Sequence, residues 1–182
     1  MVTNGVAPGL DLAKIQGNVL RGYHAARARY LFFGVTDATA GRAFVAEIIP
    51  ALEPASETPQ PRNTETRLTV NVAITSEGLL ALGVNAELVK ELPTAFTQPM
   101  AARATALLDD VGPSHPRAWE TGLGDGTAHL LVILNQVSDP KREIPEGADA
   151  DFAAAESAEL EAMVDEIHAL ASGHGLVSVH VD

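Results

Sequence analysis

Three histidines, His168, His174 and His180, recur at a spacing of six near the end of the chain. Zinc takes three or four N, S or O donors, so a histidine trio is the first place to look for metal chemistry. Spacing six puts no two of these side chains on one helical turn. The three fall on a helix end, a loop and a strand, which need not converge, so rim or surface histidines are the expectation. A second candidate is Gly122-Leu123-Gly124-Asp125-Gly126. Glycine-rich loops cradle phosphates when they open a helix, but this one leads into a strand, so a plain turn is expected. Cysteine is absent, which removes disulfides, thiolate ligands and thiolate nucleophiles and leaves the redox compartment open. The Asp and Glu residues fall on expected solvent faces, and no Ser-His-Asp or paired-carboxylate set can be assembled. No residue is nominated as catalytic, cofactor-binding or metal-ligating.

The totals narrow the function classes further. At 182 residues the chain fits one domain with a sizeable core. A formal net charge of −12 argues against gripping nucleic acid or an anionic membrane by electrostatics. Against that acidity, Arg21, Arg27 and Arg29 form a basic cluster, read as surface pairing with carboxylates. No apolar run reaches membrane-spanning length, and Met1-Val2-Thr3-Asn4-Gly5 carries no basic-then-apolar leader, so a cytoplasmic protein is expected.

The elements that would position any site are legible from periodicity. The run 129–135 holds five consecutive aliphatic residues between a Gly-rich turn and Asp139-Pro140, too short for an independent helix and apolar on both faces of a strand. Residues 29–35 form another such strand. Between 67 and 75, by contrast, Leu68, Val70, Val72 and Ile74 alternate with Thr69, Asn71, Ala73 and Thr75, the signature of an edge strand. A last strand is expected over 176–181. Asp37 caps a helix over 38–49, with Phe44, Val45, Ile48 and Ile49 at helical spacing and Pro50 ending or kinking it. A long helix is expected from about 151 to 171, with Leu160, Met163, Val164, Ile167 and Ala171 on one face. Short helices are expected from Ser76 to Leu82, from the Asn85 cap to Leu92, and over 100–108. The order is βαββαβ, an α+β ferredoxin-like sandwich. Its four-stranded antiparallel sheet has strands one and three central, helices on one face, and a helical insertion over about 76–127. Residues 1–28 are expected as an N-terminal arm and 29–182 as the ferredoxin-like domain.

Several stretches resemble the dye-decolourising (DyP-type) haem peroxidases. They are Ile15-Gln16-Gly17-Asn18-Val19-Leu20-Arg21-Gly22-Tyr23, then Ala28-Arg29-Tyr30-Leu31-Phe32, then Asn71-Val72-Ala73-Ile74-Thr75 followed by Gly78-Leu79-Leu80-Ala81-Leu82-Gly83. Met100-Ala101-Ala102-Arg103 leading to Asp110-Val111-Gly112 and Trp119 completes the set. Pro99 and Asp109 depart from the family's usual glycines. The resemblance implies the N-terminal half of a protein built from two ferredoxin-like halves of the dimeric α+β barrel type, with sheets packed together. It implies haem b for the full-length protein. The haem-binding histidine, distal arginine and distal aspartate of a Gly-x-x-Asp-Gly motif are implied for the second half or the segment just before it. Asp125 matches that motif literally but precedes the third strand of the first half, where the family has an ordinary turn.

The expectation is therefore a truncated or split half of a peroxidase, inactive alone and binding no haem by itself. Its partner would be a second ferredoxin-like half, or another copy of the chain, seated on the open sheet face. The alternatives are an autonomous ferredoxin-like dimerisation or protein-binding module, and a small α+β barrel enzyme using the inter-sheet cavity for its own ligand. Phe32, Phe33, Leu131 and Ile133 are expected to contribute core. Without a cover on the second face the chain should dimerise or aggregate, unless the insertion folds back as a lid.

Overall fold

The computed structural model describes residues 9–20, 22, 25–56, 67–120, 122–137 and 149–181. In chain order its elements are α1 (Gly17–Leu20), β1 (Ala25–Gly34), α2 (Ala38–Ile48), β2 (Arg67–Ile74) and α3 (Ser76–Ala81). They continue with α4 (Ala86–Lys90), α5 (Thr94–Thr97), α6 (Met100–Leu107), β3 (Leu130–Val137), α7 (Asp149–Gly173) and β4 (Val177–Val181). The four strands form one antiparallel sheet in the order β2-β3-β1-β4, the ferredoxin-like arrangement expected from the alternation patterns.

Residues that are paired across the ladders share a face. Leu31 lies opposite Val132, Phe33 opposite Leu130, and Val70 opposite Leu134. All six are buried, and α2 and α7 cover them with Phe44, Ile48, Leu160, Val164, Ile167 and Ala171. Glu159, Asp165 and Glu166 lie on the solvent side of α7. On the opposite face, Phe32 pairs with Leu131 and Ala73, Tyr30 with Ile133 and Asn71, and Ala28 with Asn135 and Thr69. Phe33 therefore belongs to the main core, whereas Phe32, Leu131 and Ile133 are half-buried on the second face.

Local chemistry fixes the element ends. Asp37 accepts the Ala40 N–H at 2.8 Å, Thr75 the Gly78 N–H at 2.9 Å, and Asn85 the Glu87 N–H at 2.8 Å. Gly78 sits where a Cβ would stand 2.1 Å from the His129 carbonyl oxygen, so only glycine lets α3 press onto the start of β3. The largest shift of an expected element bound is at the start of the first strand. β1 starts at Ala25 rather than Arg29, because Ala25, Arg27 and Ala28 find partners on β3 beyond the apolar run. Within the expected N-terminal arm, residues 10–20 contain a 3-10 turn over Leu12–Lys14 and the short α1. It docks against residues 52–56 through Gly17 N–H to Glu53 O at 2.9 Å and Ala55 N–H to Ile15 O at 2.7 Å. Among the described residues, no helix is long and apolar enough to cross a membrane.

Candidate functional site

The insertion does not stay beside the sheet. It folds over the end of the second face, and a cavity of about 380 Å³ lies between them. The floor is the Ala73–Leu131–Phe32 row, the roof is Phe96, Met100 and Arg103 of α5 and α6, and Gly122, Leu123, Gly124 and Gly126 close one side. The walls are mostly apolar and the volume falls in the range typical of small-molecule sites.

The glycines of the 122–126 turn are there for clearance. A Cβ on Gly122, whose φ is +89°, would meet Val179 Cγ1 at 2.2 Å, and one on Gly124 would meet Trp119 Cε3 at 2.7 Å. Asp125 does not line the cavity with them. Its Oδ1 accepts both the Thr127 hydroxyl at 2.6 Å and the Thr127 N–H at 3.0 Å, closing an Asx-type turn. The Thr127 hydroxyl, then the Thr127 N–H, hold this exposed carboxyl below its ordinary value of 3.8.

The sequence-singled histidines are not brought together. His168 stacks edge-on to Phe33 with ring centroids 5.5 Å apart, and His174 reaches Glu47 Oε2 at 2.7 Å beside Phe44. Both belong to the helix-covered side. The His180 side chain lies outside the described residues, although its backbone pairs with Phe32. His129 spends Nδ1 on the Val35 N–H at 2.9 Å, so its proton sits on Nε2, and His115 Nδ1 accepts the Arg117 N–H at 3.1 Å. Among the described residues no group of three His, Cys, Asp or Glu could hold a metal ion, and no histidine lines the cavity.

The arginine cluster divides. Arg29 pairs with Glu161 of α7, as a carboxylate-pairing reading requires. Arg27 bonds Gln136 Oε1 at 3.3 Å, and Arg21 lies outside the described residues. Two residues quoted within the family-like stretches, but given no role from the sequence, act at long range. Gln16 reaches the exposed edge of β2, and Arg103 projects from α6 over the cavity with Nη2 on the Ala95 carbonyl at 3.0 Å. Neither role has a local signal, since each depends on chain segments that only the tertiary fold brings together.

Comparison with known proteins places this architecture. Residues 14–170 match the family described as the DyP dimeric alpha+beta barrel domain. A dye-decolorizing peroxidase of Mycetinis scorodonius is 30% identical over 126 residues, 69% of this chain and 23% of that protein. One from Mycena epipterygia is 28% identical over 138 residues, 74% of this chain and 24% of that protein. The chain thus spans about a quarter of the length of these relatives. Among solved structures, an ancestral D-type dye-decolorizing peroxidase superposes with a TM-score of 0.66 at 23% identity, over 94% of this chain and 34% of that one. A dye-decolorizing peroxidase with a heme pocket engineered for asymmetric sulfoxidation gives 0.67 at 20%, over 94% and 33%. At these identities the structural likeness speaks to fold, which agrees with the β2-β3-β1-β4 sheet and its paired helices. The matched span of 14–170 runs from the N-terminal arm through all but the end of α7, and on it the chain belongs to the DyP dimeric alpha+beta barrel domain family.

Proposed function

We propose that this chain is the N-terminal half of a DyP-type haem peroxidase, taking part in peroxide-dependent oxidation only together with a second ferredoxin-like half. The observation that carries the reading is the middle of the sheet's second face. There Tyr30 is 41% exposed and Ile133 is half-buried, although both lie on the two central strands. The insertion covers the row above them. Central strands of a sheet with apolar residues on both sides need a cover on both. A second sheet laid on Tyr30 and Ile133 supplies it, in keeping with a family described as a dimeric barrel.

The cavity residues do not fit haem on their own. Haem iron needs an axial donor facing the macrocycle, and no described histidine lines the cavity. The proposal therefore assigns the haem ligands to the second half and derives no oxidation step from this chain's own side chains.

Adding haem to the purified chain and recording the Soret band, then supplying peroxide and a dye, tests the reading. The expected result is no stoichiometric uptake and no turnover. Stoichiometric haem, with turnover lost on replacing one histidine of this chain, would overturn it. The DNA following the Asp182 codon gives an independent check: a frame encoding Gly-x-x-Asp-Gly and a histidine-bearing half supports the proposal. A second reading, a homodimer closing its barrel through the same face, is favoured by the same exposure of Tyr30.

A further inference from the structure

Arg103 is a charged group of the cavity wall whose hydrogen bonding is incomplete among the described residues. Its Nη2 donates to the Ala95 carbonyl at 3.0 Å, but its Nε–H is buried without an acceptor. Two other polar side chains at the wall have local work. Thr75 donates to the Ala128 carbonyl at 3.0 Å while capping α3, and Ser76 donates to Glu77 Oε2 at 2.8 Å. Glu77, the second charged residue of the wall, is thus engaged with its neighbour and forms no ion pair with Arg103.

A guanidinium facing a mostly apolar cavity with no ion pair among the described residues is an unusual arrangement in a chain of net charge −12. Guanidinium forks recognise planar anions by two parallel N–H bonds, and a carboxylate matches that geometry. The remaining wall, from Phe32, Phe96, Met100, Leu123 and Leu131, offers aromatic and flexible aliphatic contacts to a flat or chain-like apolar body.

We propose that the cavity beneath the insertion binds a small amphipathic carboxylic acid, its carboxylate on Arg103 and its apolar body on the Phe32–Leu131 floor. The site belongs to this half alone. It needs neither haem nor a second half, so it stands or falls separately from the peroxidase reading. Placing the anion there neutralises the guanidinium at a mostly apolar wall. Occupancy also bridges α6 and the sheet, so a bound acid raises the unfolding midpoint by mass action.

The test uses the 182-residue chain and two isosteric probes, naphthalene-2-carboxylate and naphthalene-2-carboxamide, followed by calorimetry and by amide chemical shifts. The expected result is one site per chain, at least tenfold preference for the carboxylate, and shifts confined to residues around Ala73, Leu131 and α6. Arg103→Gln should abolish the preference by weakening the carboxylate far more than the carboxamide, and Arg103→Lys should retain part of it. Ala73→Phe, which fills the floor from an exposed strand position, should weaken both probes and keeps the test open if Arg103→Gln does not fold. Equal affinity for the two probes, a preference that survives Arg103→Gln, or shifts centred on Tyr30 and Ile133 instead of the cavity would overturn the proposal. So would a self-associated chain that takes up neither probe, because the occupant would then be a protein surface.

Discussion

Gln16 grips the open edge of the sheet at Val72: its Nε2 donates to the Val72 carbonyl at 2.8 Å, and its Oε1 accepts the Val72 N–H at 2.8 Å. One side chain thereby imitates a strand neighbour. The same oxygen takes the Asn71 Nδ2 at 3.3 Å, and Leu52 bridges Val70 a step along the edge. Unpaired strand edges template aggregation, and natural proteins cover them.

Replacing Gln16 with Ala should therefore cost about 1–3 kcal/mol, two net hydrogen bonds plus exposed edge, in a chemical melt. It should also raise the aggregation rate at fixed concentration. An unchanged melt and unchanged light scattering would show that the rest of the arm covers β2 without it.

The two faces of the sheet should respond differently to truncation. Phe33 is 1% exposed between Phe44 and His168, so Phe33→Ala should cost about 3–5 kcal/mol. Leu131 is half-buried and lines a cavity that already exists, so Leu131→Ala should cost less than Phe33→Ala. Denaturant midpoints with unchanged m-values measure the ranking, and an inverted order would mean that the second face is the principal core.

Gly78→Ala should be among the most damaging single-methyl additions. The new carbon would stand 2.1 Å from the backbone oxygen of His129, and backbone cannot swing aside as a side chain can. A thermal melt within a degree of the parent would mean that α3 can lift from β3 freely.

Asp125 supplies a pH-dependent turn. Its folded pKa is depressed, so its contribution is fully present above the ordinary value of 3.8 and is lost as pH falls through the lower folded value. An NMR titration should find the carboxyl below 3.8, and Thr127→Val, which removes the hydroxyl donor, should move it back up. A titration unaffected by that change would assign the depression to another donor.

The sheet was legible in the sequence because burial leaves a period. The two central strands read as apolar runs on both faces within 29–35 and 129–135, and the β2 edge strand reads as strict alternation from Leu68 to Thr75. Helix starts were legible where a capping side chain announced them, as at Asp37 and Asn85. The insertion was harder. Thr94–Thr97 is a single turn begun after Pro93 with no side-chain cap, and the 3-10 turns at 112–114 and 116–118 follow proline placement rather than any period. The candidate site was legible only in pieces: the glycines of the 122–126 turn and the Met100–Arg103 stretch stood out, but not their assembly. Arg103 and Phe32 are far apart in the chain, and what makes them wall and floor of one cavity is how the insertion returns over the sheet.

The central claim is that the Tyr30–Ile133 strip of the second face is an interface awaiting a second sheet. Sedimentation velocity across a wide concentration range measures it most directly. The chain should associate reversibly as concentration rises, and Ile133→Arg should keep it monomeric with its circular dichroism unchanged. A parent chain that stays monomeric at every concentration, or an Ile133→Arg chain that associates as before, would contradict the account.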